Sequence, residues 1–213
     1  MRFAIFEQKR IEATQRAKGH CAGCDAELTS KCGVTRVWHW AHKGRYHCDK
    51  WWESETKWHR DWKVPFPTDW QEIGARSESG ELHFADIKTP NGLVIEFQHS
   101  PIDIRERESR EVFYGKMIWV LNGLRATGDG YTFSQHIQSK KGRYVGNIWT
   151  VKFNPLVPRI TQRWINSRKT VYLDFGEDHL WRIPVDQDGW GKHAEQIFKT
   201  DFISMVLADH GPF

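Results

Sequence analysis

The sequence predicts an α/β (α+β) fold: an αβββαβ core preceded by a metal-binding module and followed by a β-rich extension. Three observations predict it. All four cysteines lie in the first quarter of the chain. Residues 51–123 run through one helical pattern, three strand-like stretches, a second helix and an apolar strand. Beyond Leu124, short β-rich runs end in a helical pattern. The expected divisions are a zinc module over 1–50, a core over 51–123 and an extension over 124–213. A chain of 213 residues with 39% hydrophobic content can bury one sizeable core plus a small satellite, which excludes several full-size domains.

Composition narrows the setting without naming a function. Mean hydropathy is −0.66, no apolar run is long enough to cross a bilayer, and MRFAIFEQKR turns charged before a signal-peptide core can form. A cytoplasmic protein with no membrane partner is therefore expected. Lys+Arg 31 against Asp+Glu 27 gives +4, so charge permits a nucleic-acid partner without requiring one. Nothing in the sequence marks an oligomeric state.

The first module is polar and holds few large aliphatics, so something other than burial must order it. CAGC (21–24) and HWAH (39–42) make C-x2-C-x14-H-x2-H. Two thiolates on a tight turn fill half of a tetrahedral shell, and a structural Zn²⁺ on Cys21, Cys24, His39 and His42 is expected. The histidine interval is shorter than the usual one, and Cys48 is close enough to replace one imidazole; Cys32 and His20 are further candidates. A redox role for the CxxC would need a βαβ context that is missing here.

WWESETKWHRDWK (51–63) has no Gly or Pro and sets Glu55, His59 and Lys63 at i, i+4 and i+8 on one helical face; Pro65 and Pro67 end it. DWQEIGAR, ELHFADIK and GLVIEFQ follow as strands separated by SESG and TPNG. Ser100, Pro101 and Asp103 read as a helix start with serine as the cap, and the charged helix runs to about Tyr114. KMIWVLNG (116–123) is a buried strand, which makes the crossover parallel. Strands are expected over 146–153, 169–175 and 179–184. A closing helix is expected over 191–210, with Ile197, Phe198, Phe202 and Val206 inward.

The chemistry concentrates in LHFADIKTPNGLVIEFQHS (82–100). A loop of Pro90, Asn91 and Gly92 makes Thr89 face Leu93, and counting outward sets Asp86 across from Glu96, with Gln98 on the same face. Opposed carboxylates among Ile, Val, Leu and Phe repel unless neutralised, and a hard divalent cation, Mg²⁺ or Mn²⁺, does so. Glu55 is the third acid, with Glu53 as runner-up, and His59 and Lys63 would move protons and meet phosphate charge. Arg105, Arg107, Arg110 and Tyr114, with Lys140, Lys141 and Arg143, either track a nucleic-acid backbone or make a solvated face.

These motifs resemble the competence protein CoiA-like nucleases, a branch of the PD-(D/E)XK superfamily, over roughly residues 20–122. The resemblance rests on the CxxC, the HWAH element, E-T-x-x-H-x-x-x-K from Glu55, A-D-I before I-E-F-Q-x-S-x-I, the helix with Arg110 and Tyr114, and W-V-L-N-G. It implies a restriction-endonuclease-like core and Mg²⁺-dependent hydrolysis of DNA, with RNA not excluded. Glu55, Asp86 and Glu96 would be the metal ligands. Gln98 stands where many relatives have lysine; an amide positions by hydrogen bonding only, so Lys88, Lys63 or a second metal must supply positive charge. The rival reading is a non-catalytic nucleic-acid or protein-binding module.

Overall fold

In the computed structural model the chain divides into two units, Met1–Lys88 and Thr89–Phe213. The described residues are 1–43, 48–138, 141–146, 148–156, 158–186, 189–190 and 193–208. The protein is mixed α/β, mostly sheet. Among the described residues, no helix is long and apolar enough to cross a membrane.

The first unit opens with a five-stranded antiparallel sheet. Its strands are β1 (Phe3–Phe6), β2 (Lys9–Glu12), β3 (Lys18–His20), β4 (Glu27–Lys31) and β5 (His39–His42), in the order β2-β1-β3-β4-β5. Its hydrophobic cluster is small, built on Ala4, Ala13, Cys21, Leu28 and Trp40. Gly19 is required where β3 passes β1, because a Cβ there would come within 2.7 Å of the Ala4 Cβ. So small a core fits a module that needs help from a metal.

Helix α1 (Lys57–Lys63) is shorter than the sequence predicts. Thr56 and His59 form a capping box: the Thr56 side chain takes the His59 N–H, and the His59 ring takes the Thr56 N–H at 3.2 Å. The helix therefore begins after Thr56, and Glu55 stands just ahead of it rather than on its face. A 3₁₀ turn (Thr68–Trp70) leads into β6 (Gln71–Arg76), which pairs antiparallel with β7 (Leu82–Lys88).

In the second unit, Thr89 and Leu93 close the predicted loop: the Thr89 N–H donates to the Leu93 carbonyl at 2.9 Å, and Gly92 takes φ +80°. Then come β8 (Val94–Gln98), α2 (Ile104–Tyr114) and β9 (Met117–Asn122), with β8 and β9 parallel as predicted. The cap of α2 is Asp103, not Ser100; its carboxylate takes the Arg105 N–H at 2.8 Å. Helix, strand, strand, strand, helix, strand is thus the element order from Lys57 to Asn122, apart from the 3₁₀ turn.

The remainder is α3 (Asp129–Gln138), β10 (Gly142–Val145), β11 (Ile148–Lys152), α4 (Arg159–Gln162), β12 (Val171–Asp174), β13 (His179–Ile183), a small hairpin of β14 (Val185–Asp186) and β15 (Gly189–Trp190), β16 (His193–Phe198) and α5 (Lys199–Leu207). Within this unit the strand order is β10-β11-β16-β13-β12-β9-β8, with β12 parallel to β9. Ile95, Trp119, Tyr172, Leu173, Leu180 and Phe202 fill its core. The single closing helix predicted over 191–210 is instead a strand followed by a helix. Phe202 and Val206 are buried as expected, but Phe198 is 57% exposed because it ends a strand paired with β13. Residues 191–192 and 209–210 of that prediction lie outside the described residues.

Candidate functional site

Two groups of chemically capable side chains occur in the first unit. The first is Cys21, Cys24, His42 and Cys48, whose ligand atoms all lie within 4.8 Å of one another. Cys21 Sγ and Cys48 Sγ are 3.6 Å apart, and Cys24 Sγ is 3.3 Å from His42 Nε2. Zn–S bonds of about 2.3 Å at tetrahedral angles set sulfurs about 3.8 Å apart, so the group fits a tetrahedral ion, whereas a disulfide needs about 2.05 Å. The Cys21 N–H donates to the Ala26 carbonyl and the Asp25 N–H to the Cys21 carbonyl, closing the knuckle. Gly23 within it leaves no space for a side chain: a Cβ would lie 2.4 Å from Leu82 Cδ2. Burial raises the pKa of the Cys21 thiol, and burial with the neighbouring Cys21 sulfur raises that of Cys48; a cation is what would make both thiolates.

His39 stands outside this group. On β5 side chains alternate, so two positions three apart point to opposite faces, and His42 shares a face with Trp40 while His39 does not. The His39 Nδ1 meets the Val37 carbonyl at 2.8 Å. Cys48, the alternative that the sequence offered, takes the fourth position. It is held by its neighbour Asp49, which meets His83 Nδ1 at 2.6 Å and takes the Phe84 N–H at 2.9 Å on β7. His20 turns to Asp25, and Cys32 packs beside the small core.

The second group surrounds Lys63, which is 2% exposed. Its Nζ lies 2.7 Å from Asp86 Oδ1, 3.2 Å from Glu55 Oε1 and 3.5 Å from Glu72 Oε1. Burial alone would lower the lysine pKa, but Asp86, Glu72 and Glu55 outweigh it and hold the ammonium above its ordinary value. Burial pushes the Glu72 carboxyl up, but Lys63, the N-terminal amine and the Arg2 and Phe3 amides bring it below its ordinary value. Arg60 pairs with the other oxygen of Glu55 at 2.5 Å. Gln71, also buried, caps the end of α1 by donating to the Lys63 and Phe66 carbonyls. This keeps the lysine in place.

Glu72 was missed by sequence reasoning. The register of β6 with β7, Gln71 to Ile87 and Ile73 to Ala85, sets Glu72 opposite Asp86, yet Glu72 adopts φ +49° and carries both Arg2 and Phe3 amides on its carboxylate. A positive φ at a non-glycine residue in a strand leaves no sequence signal. His59 is 4% exposed, and the capping box occupies its Nδ1, so α1 uses it structurally. The oxygen donors of Glu55, Glu72 and Asp86 are of the hard type that Mg²⁺ takes, and Asp86, at 22% side-chain exposure, is the most open of them.

In the second unit Glu96 and Gln98 are both buried. Glu96 Oε2 is 3.0 Å from Arg110 Nη1, and Arg110 also pairs with Glu106. Burial lowers the Arg110 pKa, but the two carboxylates more than reverse this. Gln98 Nε2 donates to the Ser100 carbonyl at 2.9 Å, which fixes the amide plane. Arg107, 1% exposed, donates to the Arg163 carbonyl. Neither Arg107 nor Arg110 therefore tracks a ligand from an open helix face, in contrast to Arg105, which is exposed. Lys141 and Arg143 are exposed as well, and Lys140 lies outside the described residues.

No family model, no curated protein and no solved structure matches the chain. The reading of the two groups rests on their chemistry.

Proposed function

We propose that this protein is a metal-dependent nuclease that hydrolyses phosphodiester bonds in DNA, and that its core is of the PD-(D/E)XK type. The observation that carries the reading is the buried Lys63 ammonium held by Glu55, Glu72 and Asp86. It draws the acids together and offsets their mutual repulsion. In this reading Asp86 and Glu55 would hold Mg²⁺ or Mn²⁺, and the family resemblance adds Glu96 as a further candidate ligand. When bound, the ion would supply Lewis acidity toward the phosphate. Lys63 orients the carboxylates. The Ser100 contact holds the Gln98 amide in one orientation, suited to ordering a water.

The test is cleavage of single- and double-stranded DNA, and of RNA, by purified protein with Mg²⁺ or Mn²⁺. Wild type is expected to cut, whereas Asp86→Asn and Glu96→Gln should lose cutting while keeping the native circular dichroism. If both variants cut like wild type, the site assignment fails. Binding without cleavage by wild type would instead support the binding-module reading.

We propose Zn²⁺ as the ion of the Cys21, Cys24, His42 and Cys48 group, with a structural role. Metal analysis should find about one zinc per chain. Cys48→Ser should lower that content sharply, and His39→Ala should leave it unchanged. The reverse pattern would restore His39 as the ligand.

A further inference from the structure

The second unit carries a cavity of about 710 Å³ that takes no part in the proposed chemistry. Its walls include Tyr131, Phe133, Trp149, Phe175 and Trp181, from α3, β11, β13 and the turn after β12. Two of these rings sit on glycines that admit nothing else. A Cβ at Gly123 would lie 2.3 Å from the Phe175 ring, and one at Gly130 would lie 3.1 Å from it. A Cβ at Gly142 would lie 2.2 Å from the Trp149 ring. Phe133 then braces Phe175 at 5.0 Å and Trp181 at 5.7 Å between ring centres. Phe133, Trp149, Phe175 and Trp181 are therefore held in place, which lowers the cost of ordering a ligand against them.

The polar groups converge on one side. Glu177, His179 and Gln196 line the cavity; His179 Nε2 is 3.0 Å from Glu177 Oε2 and 2.8 Å from Gln196 Nε2. Among the described residues lining the cavity none is Lys or Arg, so nothing there neutralises a phosphate. Flat π surfaces ask for a flat ring, a carboxylate asks for adjacent N–H donors, and an amide supplies both a donor and an acceptor. The volume suits a bicyclic ring with its sugar and exceeds what a small alkylammonium would fill.

We infer that this cavity binds a nucleobase, with guanine preferred because its N1–H and N2 amino group present two neighbouring donors to the Glu177 carboxylate. The base stacks on Trp149 and Tyr131, and its phosphate stays outside. The site is independent of the acid and lysine group in the first unit, so it stands or falls apart from nuclease activity.

The experiment is saturation-transfer NMR on the full-length chain, titrated with guanosine, adenosine, cytidine, uridine, guanosine monophosphate and tetramethylammonium. Guanosine should bind most tightly, with the monophosphate within about threefold of it. Tyr131 is 70% exposed, so Tyr131→Ala should fold normally, and it should weaken guanosine about fivefold or more, as should Trp149→Leu. Glu177→Gln should bring guanosine down to the level of adenosine. The inference is overturned if no nucleoside binds at millimolar concentration. It is equally overturned if tetramethylammonium binds in their place, or if the folded Tyr131 and Glu177 variants bind every nucleoside as wild type does.

Discussion

Lys63 illustrates how much one side chain can be asked to neutralise. With Asp86, Glu55 and Glu72 all within 3.5 Å of its ammonium, removal of the charge leaves three acids facing one another in a largely buried site. Breaking a buried ion pair on one side costs about 3–5 kcal/mol, so Lys63→Met should lose about that much in urea unfolding at neutral pH. The pH dependence has two limbs. Lys63 is raised above its ordinary 10.5, so its contribution is complete below that pH and fades as pH climbs through the higher folded value. Glu72 is lowered from 4.5, so its contribution is complete above that pH and fades as pH falls through the lower folded value. Stability measured by urea unfolding should therefore decline in acid below about pH 4.5, and Glu72→Gln should flatten that decline.

At the scale of elements, the boundaries follow local chemistry. Thr56→Ala removes half of the capping box and should cost about 1 kcal/mol in thermal or urea unfolding, with Glu55 drawn away from Lys63 as the first turn frays. The hairpin closure at Thr89–Leu93, the parallel pair of β8 and β9, and the CxxC knuckle were legible because Pro-Asn-Gly, an apolar run and a two-residue cysteine spacing each carry a local signal. The rest needed long-range information. HWAH reads as a ligand pair until its strand geometry separates His39 from His42. Helix α3 was hidden behind Gly130 and a polar stretch, although Phe133 and Ile137, four apart, are both buried. Residues 193–198 share a helical pattern with the α5 segment, but β13 and β11 flank them and pairing overrides propensity. Glu72 had no legible cue at all.

For the molecule as a whole, the formal +4 does not say which cations a polyanion would meet. Lys63, Arg107 and Arg110 are buried and spend their charge internally, so any backbone contact falls to exposed cations such as Arg105, Lys141 and Arg143. Under the proposed function, DNA affinity measured by anisotropy should fall as salt rises, and each of Arg105→Ala and Arg143→Ala that removes a phosphate contact should reduce the salt slope by about one. Strand β9 has a further bearing on how the protein can be handled. Its Trp119, Val120, Leu121 and Asn122 are matched in register by Val171 to Asp174, which arrive some fifty residues later. A fragment stopped after Gly123 would strip that flank and leave an apolar ribbon with unpaired amides, an open template for self-association. Expression trials of a piece ending at Gly123 should therefore yield inclusion bodies, and fragments that retain β12 should stay in solution.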